Sequence, residues 1–135
     1  MRGGRAQRIL IVDDVTFIRD LIKSFYDDYE LELLEAVNGQ EAVALARACP
    51  PDLILLDIQM PVMNGYEAAA VLKSDAALRD IPILAVTGLE LQEVAQRMSG
   101  LCDRFLAKPF KKADLIGATL QYLPGMVQKI SDPQA

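Results

Sequence analysis

Residues 52–57 read Asp52-Leu53-Ile54-Leu55-Leu56-Asp57, a short apolar run that ends on a carboxylate. A continuous run of this length between polar residues is the pattern of a strand buried on both faces, as in a parallel sheet. Three other stretches repeat it. Arg8-Ile9-Leu10-Ile11-Val12 runs into Asp13-Asp14, Ile83-Leu84-Ala85-Val86 into Thr87, and Arg104-Phe105-Leu106-Ala107 into Lys108-Pro109. Open parallel sheets bind their ligands at the carboxyl ends of the strands. Three carboxylates, a hydroxyl and an ammonium are therefore expected to converge on one sheet edge, a set suited to a cation and a phosphoryl group.

The segments between these runs carry helical periodicity. Phe17, Ile18, Leu21, Ile22 and Phe25 recur at helical spacing, which predicts a helix capped by Thr16 and running to about Tyr26 with those residues inward. Leu31 to Ala36 reads as a further strand. After the Asn38-Gly39 turn a helix is expected near Gln40 to Ala48, with Val43 and Ala46 inward and Pro50-Pro51 as its stop. Tyr66 to Lys73 is a third helix, and Leu91, Val94, Ala95 and Met98 mark a fourth. Leu101 to Ala107 holds the last strand. Lys111 to Leu123 is a fifth helix with Leu115, Ile116, Leu120 and Leu123 inward. Strands alternating with helices in this way imply a parallel sheet covered on both faces, with right-handed crossovers.

The chain has 135 residues, the size of one domain, and 52% of them are hydrophobic, which excludes a disordered polypeptide. The expected division is a flexible extension over 1–7, the α/β domain over 8–124, and a tail or linker over 125–135. Arg2, Arg5 and Arg8 make the N-terminus basic. Neither a transmembrane run nor a signal peptide is visible, so a cytoplasmic protein is expected. Cys49 and Cys102 fit buried small residues in a reducing compartment. Without any histidine, a His-based zinc site or catalytic triad is ruled out, and the net charge of −5 argues against direct nucleic-acid binding.

Asp13, Asp14 and Asp57 brought together repel one another unless a hard divalent cation sits among them. Lys108 beside them would be a countercharge able to hold a phosphoryl oxygen. At such a site the Thr87 hydroxyl would donate to the same group and Gly88 would leave its N–H accessible; taken alone, Thr87 reads equally as the N-cap of the next helix.

In these residues the chain resembles the response-regulator receiver domains of bacterial two-component signalling. Asp13-Asp14 matches that family's acidic pair. Leu55-Leu56-Asp57-Ile58-Gln59-Met60-Pro61-Val62-Met63-Asn64-Gly65-Tyr66-Glu67 matches the segment around its phospho-accepting aspartate. Val86-Thr87-Gly88 matches the switch threonine and Lys108-Pro109-Phe110 the lysine and cis-proline. Order and spacing agree from Arg8 to Leu123, apart from a slightly shorter Thr87–Lys108 segment. The resemblance implies a doubly wound (βα)5 flavodoxin-like sheet in the strand order 2-1-3-4-5. It implies that Asp57 accepts a phosphoryl group, and that Mg²⁺ is bound by Asp14, Asp57 and the backbone carbonyl of Gln59, with Asp13 acting through water. Lys108 and Thr87 would contact the phosphoryl group, Gly88 would do so through its N–H, Pro109 would be cis, and Phe105 would hold the switch-aromatic position. Implied partners are a sensor histidine kinase or histidine phosphotransfer protein, and a downstream protein docking on the fourth helix, fifth strand and fifth helix, with the chain a monomer or a phosphorylation-dependent dimer.

Other classes fit less well. A haloacid-dehalogenase-type phosphatase needs a second acid two residues after its nucleophile, where this chain has Gln59. An FMN carrier needs a Ser/Thr/Gly-rich phosphate loop after the first strand, where this chain has two acids. The remaining alternative is a receiver fold used as a docking module without phosphorylation.

Overall fold

The computed structural model describes residues 6–129. Five strands and five helices alternate: β1 (Gln7–Val12), α1 (Thr16–Phe25), β2 (Leu31–Ala36), α2 (Gly39–Ala48), β3 (Leu53–Asp57), α3 (Gly65–Ser74), β4 (Ile83–Thr87), α4 (Leu91–Arg97), β5 (Arg104–Ala107) and α5 (Lys112–Tyr122). All strand pairs are parallel, in the order β2-β1-β3-β4-β5. The expectations for residues 1–5 and 130–135 lie outside the described residues. Residues 126–129 pack back on the domain: Met126 is buried, Val127 accepts from the Glu30 N–H at 2.8 Å, and Lys129 donates to the Asp28 carbonyl at 2.7 Å.

Alternation along the strands divides the core in two. Ile9, Ile11, Leu53, Leu55, Leu84 and Val86 face α1 and α5, where they meet Ile22, Tyr26, Leu115 and Leu123. Leu10, Val12, Ile54, Leu56, Ile83 and Ala85 face α2, α3 and α4, against Val43, Leu72, Val94 and Met98. Burying each large aliphatic side chain contributes about 1.5–3 kcal/mol, so β1, β3 and β4 make the rigid frame on which the loops stand. No helix among the described residues is long and apolar enough to cross a membrane.

Several sequence expectations need correction. Thr16 lies inside α1, whose cap position is Val15; the Val15 N–H is taken instead by Oδ1 of Asp13 at 2.9 Å. Phe17 is 71% exposed because the buried stripe of α1 is Arg19, Ile22 and Tyr26, and Phe17 stands about 200° round the helix from Arg19. On α4 only Val94 and Met98 are buried, and Leu91 and Ala95 face outward. Leu120 of α5 is likewise exposed, with Ala118 and Thr119 taking the inward places. The last strand is the expected Arg104–Ala107 run, within the Leu101 to Ala107 stretch. Gly100, at φ 76°, turns the chain out of α4, and Asp103 pairs with Ile83 through its N–H and its carboxylate before the ladder starts. Both cysteines are part-buried free thiols rather than fully buried ones, and burial with the Asp103 charge pushes the Cys102 thiol up to about 11.

Candidate functional site

Strand register brings the reactive residues together. Val12 pairs with Leu56, so Asp13 and Asp57 leave the sheet side by side. Asp57 pairs with Val86, which puts Thr87 next along, and Thr87 pairs with Ala107, which puts Lys108 one step beyond. Carboxylate oxygens of Asp13, Asp14 and Asp57 lie within 4.8 Å of one another. The Lys108 ammonium sits between two of them, 2.8 Å from Oδ2 of Asp13 and 3.3 Å from Oδ1 of Asp57.

The three acids have different environments. Asp13 is 1% exposed and its carboxylate is engaged on both oxygens, by the Val15 N–H and by Lys108. Asp57 is 6% exposed; its Oδ1 accepts from the Ile58 N–H at 2.9 Å and from Lys108. No hydrogen bond among the described residues engages its Oδ2. Asp14 is exposed. Burial, and then the charge of Asp13, push the Asp57 carboxyl up to about 6, against the pull of Lys108 and the Ile58 N–H. Burial works against the Lys108 charge, but the hydrogen bond to Asp13 and the fields of both acids hold its pKa above the ordinary lysine value. At neutral pH the Asp57 carboxyl is thus mostly ionised, and the Lys108 ammonium bridges it to Asp13.

The loop after β3 approaches this cluster closely. A Cβ on Gly65 would lie 2.3 Å from the Asp57 carbonyl oxygen, so only glycine lets α3 start there, and the Gly65 N–H donates to the Ile58 carbonyl at 2.8 Å. Asn64 caps α3 by accepting from the Glu67 N–H, while the Glu67 carboxylate accepts from the Asn64 N–H. Gln59 is exposed on this loop.

Thr87 is buried at the end of β4 and its Oγ1 accepts from the Leu89 N–H at 2.9 Å, so it does not cap α4, whose cap residue is Glu90. Gly88 is exposed, with open space where a Cβ would lie. The Lys108–Pro109 peptide bond is cis, and the Lys108 N–H donates to the Thr87 carbonyl at 2.8 Å. Phe105 stands apart from the charged cluster. It pairs with Ala85 and is half-buried against the core under α4, on the same sheet face as Thr87.

Sequence reasoning missed Arg19 and Glu35. Arg19 is 9% exposed and donates to the Asp13 carbonyl at 2.7 Å, to Glu35 Oε1 at 3.0 Å and to Thr16 Oγ1 at 3.2 Å. The available signal was its position, since a cation three residues before Ile22 and seven before Tyr26 falls on the inward stripe of α1.

Comparison with known proteins agrees with this geometry. The family model described as "Response regulator receiver domain" matches residues 9–120. Polar-differentiation response regulator DivK of Brucella anthropi is 35% identical over 116 residues, covering 85% of this chain and 94% of DivK. Chemotaxis protein CheY4 of Vibrio cholerae superposes with a TM-score of 0.82 at 29% identity, covering 87% of this chain and 99% of that one. The receiver domain of a Pseudomonas aeruginosa sensor histidine kinase, solved with a magnesium ion coordinated in its active site cleft, superposes with a TM-score of 0.81 at 28% identity, covering 88% and 98%. With the five-stranded order, the acidic cluster and the matched segment all in place, this chain belongs to the response regulator receiver domain family.

Proposed function

We propose that this receiver takes a phosphoryl group onto Asp57 from a phosphohistidine and uses it to change a protein-docking surface. The observation that carries the reading is the gathering of three carboxylates within 4.8 Å of one another, two of them bridged by the part-buried Lys108 ammonium. Such a cluster is costly for a structural role and suited to handling an anion with a cation. Asp57, with its carboxyl up at about 6, is mostly ionised at pH 7 and keeps Oδ2 free for attack on phosphorus. The O–P bond forms as the P–N bond of the donor breaks, and the donor nitrogen keeps the electron pair.

The residues present fit Mg²⁺, which favours carboxylate, carbonyl and water oxygens. Asp14 and Asp57 would hold it directly with the Gln59 carbonyl. Asp13 would act through water, because both of its oxygens are already engaged. Bound there, the ion would neutralise charge on the transferring group. Lys108 would hold a phosphoryl oxygen, with the Gly88 N–H nearby. Thr87 would exchange its bond to the Leu89 N–H for one to the phosphoryl group, which loosens the connection into α4. Phe105, on the same face, would move inward behind it. The altered surface is α4, β5 and α5, a bistable element biased by a local charge.

The partners proposed are a sensor histidine kinase or histidine phosphotransfer protein as donor and a protein target at that surface, in a cytoplasmic setting. Incubation with acetyl phosphate and Mg²⁺ should add one phosphoryl mass to the wild type and none to Asp57→Asn. Equal labelling of the two proteins would refute Asp57 as acceptor. No labelling of the wild type would favour a docking module without phosphorylation.

A further inference from the structure

The buried guanidinium of Arg19 is not explained by stability. An ion pair taken out of water gains little over apolar residues of similar volume, and its neighbours on the inward stripe, Ile22 and Tyr26, are apolar. What distinguishes the position is its acceptor. Arg19 Nη1 donates to the carbonyl oxygen of Asp13, and that carbonyl shares a rigid peptide plane with the N–H of Asp14. The Asp13 N–H is held by the Ala36 carbonyl at 3.1 Å, and the Asp13 carboxylate by Val15 and Lys108. Every polar group of Asp13 is therefore engaged. Asp14 differs: it is exposed, and among the described residues no hydrogen bond holds its carboxylate. The direction of that carboxylate is set by the backbone that carries it; the Asp13 carboxylate holds this backbone beyond Asp14, at the Val15 N–H, and Arg19 holds it at the Asp13–Asp14 peptide itself. Glu35 on β2 holds the far edge of the guanidinium and is shared with Lys23 at 3.0 Å. Burial opposes the Glu35 charge, yet these two cations keep its carboxyl below the ordinary value.

We propose that Arg19, anchored by Glu35, is a positioning residue that orients the Asp13–Asp14 peptide and so sets the divalent-cation affinity of the site. This rests on reading the acidic cluster as a Mg²⁺ site. The sign of the effect separates positioning from simple electrostatics. A cation beside the site repels Mg²⁺, so removing it should tighten binding by Coulomb's law alone. Loss of orientation should loosen it, as loss of outer-shell partners of metal ligands does, by about tenfold.

Mg²⁺ titration calorimetry on the full chain, with metal-free thermal unfolding in parallel, tests this. Arg19→Met should bind Mg²⁺ about tenfold more weakly than wild type. Lys23→Met takes one positive charge from the same carboxylate but leaves the Asp13 carbonyl untouched, and its affinity should stay within about twofold. Should Arg19→Met fail to fold, Arg19→Lys carries the test. It keeps the charge but has no planar fork to join Asp13 and Glu35, so its affinity should also fall. Unchanged or tighter binding in Arg19→Met or Arg19→Lys, or equal weakening in Lys23→Met, overturns the proposal and leaves the site reading intact. A wild type that does not bind Mg²⁺ at all overturns both.

Discussion

Helices α1 and α4 flank the same charged site but are held differently. α1 is tied on several sides: Arg19 to Asp13 and Glu35, Lys23 to Glu35, the Tyr26 hydroxyl to Thr119 Oγ1 at 2.7 Å, and the Phe25 ring edge-on to Phe110 at 6.1 Å. α4 is a seven-residue helix with Val94 and Met98 in the core, no side-chain cap at Glu90, and Arg97 stacked 3.7 Å over the Tyr66 ring. Elements with few buried contacts open at low free-energy cost, whereas densely tied ones open only with the whole domain. The charged residues thus stand between one helix held by many side-chain ties and another held by few, and the proposed switch would use that difference.

The strongest way to break this contrast is to cut one anchor on each side. Ile22→Ala, in the dry face between α1 and the sheet, should lower global stability by about 3–5 kcal/mol. Met98→Ala should cost less, about 2–3 kcal/mol, because α4 can settle into the space left. Urea unfolding measures both, and native-state hydrogen exchange should show α4 amides exchanging by local opening while α1 amides exchange only with global unfolding. Equal costs and equal protection would remove the distinction.

A smaller effect tests the charge itself. The Asp57 carboxyl is raised from 3.8 to about 6, so without metal the folded protein binds more protons than the unfolded one across that window. Stability therefore falls as pH rises from about 4 to about 6. Metal-free protein should be about 1 kcal/mol more stable at pH 5 than at pH 7. Asp57→Asn should flatten this slope and raise the metal-free melting temperature at pH 7, and saturating Mg²⁺ should recover stability in the wild type by mass action. A wild-type slope of opposite sign between pH 5 and 7 would contradict the raised Asp57.

The two neighbouring acids sharpen the contrast between fixed and free groups. Asp14→Ala should weaken Mg²⁺ binding more than Asp13→Ala, because Asp14 is the exposed, unengaged member. Stability should show the reverse order. Asp13→Ala releases the Val15 N–H and leaves Lys108 facing Asp57 alone, at a cost of about 1–3 kcal/mol, while Asp14→Ala should be neutral or slightly stabilising without metal. Calorimetric titration and thermal unfolding of the same two variants read both orders.

Much of this was legible because apolar runs and period-2 alternation report burial directly. β1, β3 and β4 are the strands whose interiors contact helices on both faces, and there the sequence pattern and the structure coincide. Legibility failed where one residue type serves two surfaces. Phe17 and Leu120 look like core residues by type, yet their helical phase turns them to solvent. Arg19 fails the other way, since composition alone gives no reason to bury a cation; the reason is a carbonyl oxygen six residues back in the chain, with the Glu35 carboxylate of β2 folded against the same guanidinium. The acidic cluster was readable because its members follow two neighbouring strands, Asp13 and Asp14 after β1 and Asp57 at the end of β3, whereas the hydrogen bond from Leu89 that occupies Thr87 depends on a loop path that no periodicity encodes.

The smallest expected effect concerns the loop between the two walls. Val62 has φ 69° and is 74% exposed, a left-handed conformation that a β-branched side chain tolerates poorly. The loop is held in place by the Met63 carbonyl, which accepts from the Gly39 N–H at 2.8 Å, and by the Gly65 N–H bonded to Ile58. The strain at Val62 is thus imposed by fixed neighbours on both sides. Val62→Asn should relieve it, because asparagine enters this region readily, and should raise stability by about 0.5–1 kcal/mol. Val62→Gly relieves the same strain but enlarges the unfolded ensemble, so its gain should be smaller. Thermal unfolding of the pair, with the Mg²⁺ affinity measured alongside, tells whether the strain belongs to the loop alone. Stabilisation with unchanged affinity places it there, and stabilisation with weakened affinity shows that the strained turn helps hold the Gln59 carbonyl toward the site.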